Sequence, residues 1–500
     1  MPYEQPQDST TTLIDHNDIN KNYSSVTLLE EDAITNTKGD IRAVEVYNAK
    51  EILKEISSTF IICIPVIISY LVEFLNPFIT SYSVGWLGKE ELASSALSAM
   101  FASITGWSFA TGMTSCLDTL CSQAYTGSND IKQVGVYAQR GFWTSMCLFL
   151  PISLTWYHAE SILLAIGQTE VLSELCGVYL RWLLFAVPPF IGFECVKKFL
   201  QAQGIMNASA NILIINLPVC AISNYLLVWH PSTSLGFIGA PIASSITSWS
   251  SFILGVLYVV FIDGRKAWGG FTWKAFSEWK PIIKLGLPGV IMVCSEWWAY
   301  EIMAFSASYI STGSLAAHGA LSGMSGLLYQ VAFGAGTVSS NIVGNILGKG
   351  YPNRAKRISL SCLAVGVIYG SFSFVMILIL SPYLKSFYND DPEIVEIVAN
   401  VLPVLAILQF GDVAAGVANG ILRGMGRQDI GAKLNFSVFY FVAIPFGILL
   451  AFHFDFGLKG LWIGFASGSA LIALISVGLT MMADWDQEVR NTKARLDEDI

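Results

Sequence analysis

Two carboxylates, Glu296 and Glu301, stand in the middle of an apolar run that extends from about residue 282 to 310. That run is long enough to cross a bilayer, which takes about 20 apolar residues. A charge at the bilayer centre costs about 2.5–3.5 kcal/mol on insertion scales. Such groups therefore face a bundle interior or a watered cavity, and they mark ion and substrate pathways. Five residues apart on a helix, the two side chains lie about 140° around the axis and about 7.5 Å along it. The spacing predicts that one faces a central cavity while the other packs within its own helix group. Trp297, Trp298 and Tyr300 lie between them and offer aromatic faces to a cationic or planar substrate. The plainer alternative is a pair of buried, hydrogen-bonded glutamates that hold helices together.

Few other residues in apolar runs could do chemistry. Asp412 is in the tenth run, Glu73 in the first, and His318 in the eighth. Asp118 and Gln123 sit at the end of the second run, where Asp118 fits a helix-end hydrogen-bonding role better than a substrate role. Glu194, beside Lys197 and Lys198, is expected to be a solvated interface charge, and His318 a satisfied core histidine. No HExxH metal motif is present, and no nucleophile is clustered with a base, so the sequence points to no enzyme, metal or cofactor.

The elements that must position these residues are membrane helices. The chain is 53% hydrophobic and 13% charged, with mean hydropathy +0.56, values that belong to an integral membrane protein. Its net charge of −9 is concentrated in residues 1–50 and 484–500. These are expected to be solvated cytosolic tails, the first disordered and with phosphorylatable runs at Ser9–Thr12 and Ser24–Ser25. No basic patch suggests nucleic acid. None of the nine cysteines forms a CxxC pair, and they are expected to be small buried hydrophobes. The polar first fifty residues show no secretory signal pattern, so the first apolar run is expected to serve as signal anchor.

Apolar segments recur at 57–82, 92–117, 135–157, 172–196, 208–229, 238–262, 281–310, 315–343, 359–379, 394–418, 432–453 and 459–482. They predict an all-α membrane protein of twelve helices, with a short extramembrane helix over 161–168. Small residues Gly319, Ser322, Gly323 and Gly326 predict close helix approach on the eighth. Lysine and arginine set the orientation. The even-numbered loops carry fifteen, including Lys197, Lys198 and Arg423, and the odd-numbered loops only Lys89, Lys385 and Lys459. Both termini and the even loops are thus expected in the cytosol, and the sequons at Asn22 and Asn207 unglycosylated.

The two halves echo each other at an offset of 223 residues: Pro65 matches Pro288, Glu73 matches Glu296, and Gly127 matches Gly350. Six helices per half return the chain to the same side. The repeats are therefore parallel, forming two six-helix bundles related by a pseudo-two-fold axis along the membrane normal. This gives an N-lobe over 51–264, an inter-lobe loop over 265–280 and a C-lobe over 281–483. The repeat partner of Asp412 is a phenylalanine at offset 222, Phe190, and that of Glu301 is Phe78. The ionisable cluster thus belongs to the second half.

The segments CLDTLCSQAY (116–125), EWWAYE (296–301), NILG (345–348) and LRGMGRQ (422–428) with Ala432 resemble the eukaryotic branch of the multidrug and toxic compound extrusion (MATE) family. The resemblance covers about residues 50–482. It implies a V-shaped pair of bundles that exchanges protons, or sodium in some bacterial members, for organic cations, drugs or metabolites by alternating access. It also implies proton coupling at Glu296, Asp412 and Glu301, the first two as an acidic pair and Glu301 as a further family glutamate. The implied substrate cavity takes in Trp297, Tyr300, Gln123, Glu73, Tyr329 and Gln330. Two departures stand out. Some animal members have Tyr-Glu where this chain has Tyr329-Gln330, and Thr80 aligns with a first-helix aspartate of many bacterial members.

In this scheme a carboxylate shielded from water binds a proton when the cavity opens to the acidic side and loses it when the cavity opens to the cytosol. The partners expected are a small-molecule substrate of organic-cation type, protons and the lipid bilayer. The membrane is vacuolar or plasma. Two fused halves already form a transport unit, so a monomer is expected. The rivals are a sodium-coupled antiporter and a lipid-linked precursor flippase of the same superfamily. The flippase would need intramembrane bases, for which Arg181 is the main candidate.

Overall fold

The computed structural model describes residues 49–387 and 392–498. The N-terminal segment, with its serine and threonine runs and the Asn22 sequon, lies outside the described residues. Twelve long helical runs follow in order, and no strand occurs among the described residues. They are α1 (Ala49–Gly85), α2 (89–127), α3 (Gln133–Tyr157), α4 (Glu170–Ala202), α5 (Asn207–Trp229) and α6 (Gly236–Phe261). After the inter-lobe loop come α7 (Lys280–Ser308), α8 (Thr312–Gly348), α9 (Pro352–Phe387), α10 (Pro392–Met425), α11 (Gln428–His453) and α12 (Gly457–Met481). Nine of these are long and apolar enough to span a membrane, and α3 makes a tenth with the short helix Ala159–Ile166, bent 58° from it. The remaining two, α2 and α8, are rich in serine, threonine and glycine.

The halves pack alike. In the first, α1 packs on α5, α2 on α3 and α4, α4 on α3 and α6, and α5 on α6; each pairing recurs six helices later. Between the halves, α1 meets α8 as α7 meets α2, and α2 meets α8 directly. This is the pattern a two-fold axis along the bundle requires.

The lobes touch backbone to backbone at one end. A Cβ on Gly344 of α8 would lie 2.0 Å from Ser122 Oγ of α2, and one on Gly348 would lie 2.5 Å from the Gln123 carbonyl oxygen. Farther along the interface, a Cβ on Gly112 would fall 2.5 Å from the Cα of Val290 in α7. Only glycine allows helices this close. The small residues expected to do this higher on α8 do not: a Cβ on Gly319 or Gly323 would meet nothing within 4 Å, and one on Gly326 would meet only the Phe74 ring. The close approach at Gly344 and Gly348 lies about five to six turns beyond Gly326, because the lobes part over the first half of α8.

The segment expected to be a solvated C-terminal tail instead forms helix α13 (Trp485–Glu498), which packs across the closed end. Trp485 and Val489 are buried, and Glu488 pairs with Arg427. Arg495 donates to Gln123 Oε1 of the first lobe at 3.1 Å and to the Met425 carbonyl of the second at 2.6 Å. Eight of the cysteines are buried; Cys147 is exposed.

Candidate functional site

Beyond the closed end a cavity of about 520 Å³ lies between the lobes, a size that takes a drug-sized molecule. Helices α1 and α7 bring Glu73, Glu296, Trp297, Tyr300 and Glu301 to it, and α8 brings Tyr329 and Gln330. Both glutamates of α7 therefore line the same cavity, contrary to the expectation that they part. Residues 296, 297, 300 and 301 cover an arc of about 140° of helix, and the cavity is wide enough to wrap it. A π-helical turn in α2, Ser103–Trp107, adds Ser103, Ile104 and Trp107 to the wall; such turns recur at functional sites. Thr80 also lines the cavity.

Gln123 does not line it. Its amide is buried at the closed end, where Nε2 donates to the Gly424 carbonyl at 2.8 Å and Oε1 accepts from Arg495. Motif spacing put Gln123 on the right helix. The length of α2, which runs past the cavity floor, puts it beyond the site.

A second, smaller cavity of about 30 Å³ opens inside the second lobe, room for about one or two waters. Glu296 of α7 and Asp412 of α10 both line it, with Tyr329, Asn419, Arg423 and Ser469. Tyr329 donates to Glu296 Oε2 at 3.0 Å, Ser469 donates to Asp412 Oδ1, and Asp412 Oδ2 has no partner among the described residues. The sequence offered this pairing only through resemblance, since 116 residues separate the two acids. Glu296 reaches both cavities, so the substrate wall and the carboxylate pair share one side chain.

The charged cluster beneath the main cavity departs from the sequence expectation. Glu194, Lys197 and Lys198 lie inside α4, at most 2% exposed, and are no interface charges. Lys197 Nζ bonds Glu194 and, at 2.9 Å, Glu73. Lys198 Nζ reaches Asp118 Oδ1 at 3.0 Å and Tyr70 Oη at 3.3 Å. Asn341 of α8 donates to Asp118 at 3.3 Å across the lobe interface. The available signal was an Asp and two Lys flanked by apolar residues. Counting the lysines as loop residues hid it. Arg181, the candidate intramembrane base, is 41% exposed and pairs with Glu160 at 2.8 Å, away from the cavity. His318 is buried, 3.0 Å from Ser322 Oγ and beside the Trp462 ring.

The MatE family model matches this chain twice, over residues 65–226 and 288–449. The two matches begin 223 residues apart, the same offset at which the two halves of the sequence echo each other. The chain belongs to the MATE family. Among MATE relatives, an uncharacterised transporter of Schizosaccharomyces pombe is 36% identical over 91% of this chain and 84% of its own length. Multidrug and toxin extrusion protein 1 of Danio rerio is 33% identical over 86% of this chain and 73% of its own. The crystal structure of the eukaryotic MATE transporter AtDTX14 superimposes with a TM-score of 0.83 at 26% identity, covering 89% of this chain and 99% of that one. This MATE protein is thus an integral membrane transporter of the twelve-helix, two-lobe architecture, in a family that moves small molecules.

Proposed function

We propose that this MATE protein is a proton-coupled antiporter that exports organic cations, drugs or metabolites by alternating access. In this scheme Glu296 and Asp412 form the proton site, and Glu301, Glu73 and the aromatic wall receive the substrate. The observation that carries this is the sharing of Glu296 between the substrate cavity and the small carboxylate cavity. Burial penalises charge on a carboxylate, and two carboxylates in one cavity penalise each other. A proton relieves that penalty, and so does a cationic substrate beside Glu296. Binding either one thus competes with the other, which is the requirement for exchange.

Arg423 in the same cavity supports a proton over a bare sodium ion, because a fixed cation repels a second one. The flippase alternative is weakened by pairing: Lys197 and Lys198 are already neutralised by Glu73, Glu194 and Asp118. For orientation, ten of the fifteen basic residues assigned to even-numbered loops remain once the buried Arg140, Lys197, Lys198, Arg354 and Arg423 are set aside. Ten against three supports cytosolic termini and a closed end that faces the cytosol; a vacuolar or plasma membrane setting and a monomeric unit belong to the same proposal.

The deciding experiment is uptake of a fluorescent organic cation into proteoliposomes under an imposed pH or sodium gradient. Uptake should follow the pH gradient and disappear in Glu296→Gln and Asp412→Asn variants that retain wild-type folding. Dependence on sodium alone would overturn proton coupling.

A further inference from the structure

Arg423 is 5% exposed, near the end of α10, and borders two groups of opposite charge. On one side is the small cavity with Glu296, Tyr329 and Asp412. On the other is Asp118 of the first lobe, whose Oδ2 lies 3.9 Å from Arg423 Nε, beyond hydrogen-bond reach. Among the described residues Arg423 Nε has no hydrogen-bond partner, and neither does Asp412 Oδ2. A buried guanidinium and a buried carboxylate, each left short of a partner at one cavity, are costly for a resting structure. The guanidinium rests over the Phe333 ring, 5.5 Å from its centroid. The titratable and charged groups facing it are Glu296, Tyr329 and Asp412 within its own lobe and Asp118, Lys198 and Tyr70 from the other.

We infer that Arg423 is a positioning residue that ties the proton on the Glu296–Asp412 pair to the contact between the lobes. This rests on the proton-coupled function proposed above. While the lobes touch, Asp118 holds Arg423 towards the first lobe, and the carboxylate pair keeps its proton. Parting the lobes at this end carries Asp118 away with α2, where Lys198 still neutralises it. Arg423 stays with α10 and has only Glu296 and Asp412 left to pair with. Its charge then favours their ionised form, and the proton leaves through the end that has just opened. The open form therefore binds fewer protons than the closed form, and raising the pH must shift the population towards open. The direction suits export driven by an inward proton gradient.

The test is a pulsed electron spin measurement in nanodiscs of the distance between labels at Asn129→Cys and Asn353→Cys, in a Cys147→Ser background. Both sites are exposed, one on each lobe at the closed end, and the remaining cysteines are buried. In the wild type the open-to-closed ratio should rise with pH, by up to about tenfold for each pK unit that separates the two forms. Arg423→Gln should hold that change within about twofold, Arg423→Lys should restore part of it, and Asp118→Asn should also flatten it. A wild-type pH response retained in Arg423→Gln overturns the role of Arg423 and leaves proton coupling standing. A wild type that ignores pH overturns both.

Discussion

Replacing Gly420 with alanine should force α8 and α10 apart and destabilise the second lobe. A Cβ at this position would lie 2.0 Å from the Gly336 carbonyl oxygen, 2.6 Å from its carbonyl carbon and 2.7 Å from its Cα. Ordinary carbon contacts begin at about 3.5 Å, so the helices must move apart by roughly 1 Å or more. The obstacle is backbone, so no rotamer change relieves it. One turn away, a Cβ on Gly416 would fall 2.8 Å from the Ala332 carbonyl oxygen, so the neighbouring contact has no slack. Overpacking of this kind costs about 1–3 kcal/mol. The strain also enters the small cavity, since α10 carries Asp412 and Arg423 and α8 carries Tyr329. The control is Gly323→Ala on α8, where the new methyl meets nothing within 4 Å and helix propensity alone favours alanine by up to about 1 kcal/mol. Thermal melting in detergent, followed by size-exclusion fluorescence, should show Gly420→Ala falling by several degrees and Gly323→Ala unchanged or higher. Equal melting of Gly420→Ala and wild type, or an equal loss in both variants, would refute the argument.

Gly426→Ala should undock helix α13. The backbone there is left-handed, at φ 74°, and the new Cβ would lie 1.9 Å from Arg495 Nη1. Faster proteolysis after residue 484 with the twelve-helix body intact is the expected outcome. Lys197→Met should cost about 3–5 kcal/mol, because it strands Glu194 and Glu73 beside a buried gap. Adding Glu194→Gln should recover a large part of that in the same melting assay. Tyr329→Phe should leave melting nearly unchanged and move the pH at which transport is half-maximal, since it removes the hydroxyl that donates to Glu296; an unmoved pH profile would argue against Glu296 as the proton site.

The sequence by itself determined the class, the helix count and the two-fold plan. Hydropathy needs only composition along a line, and the repeat needs only matched residues in order. It also singled out Glu296, Glu301 and Glu73 as candidate functional acids, because an acid in an apolar run has few places to go; that both glutamates of α7 line one cavity was decided by the structure. Tertiary structure alone decided which charges meet. Lys197 and Lys198 read as loop residues because two lysines near a helix end look solvated; only the packing of α1 and α2 around α4 supplies the acids that let them be buried. Gln123 read as a cavity residue because a motif fixes a helix but not the depth at which two lobes close over it. The glycines at 319 and 323 looked like the helix contact, whereas those at 344 and 348 make it between the lobes. Which of several glycines touches a neighbour depends on where two helices cross, and that is a property of the pair of lobes rather than of either stretch of sequence. Arg423, one arginine among several near a helix end, acquires its two-sided position only when Asp118 of the other half is brought within 3.9 Å.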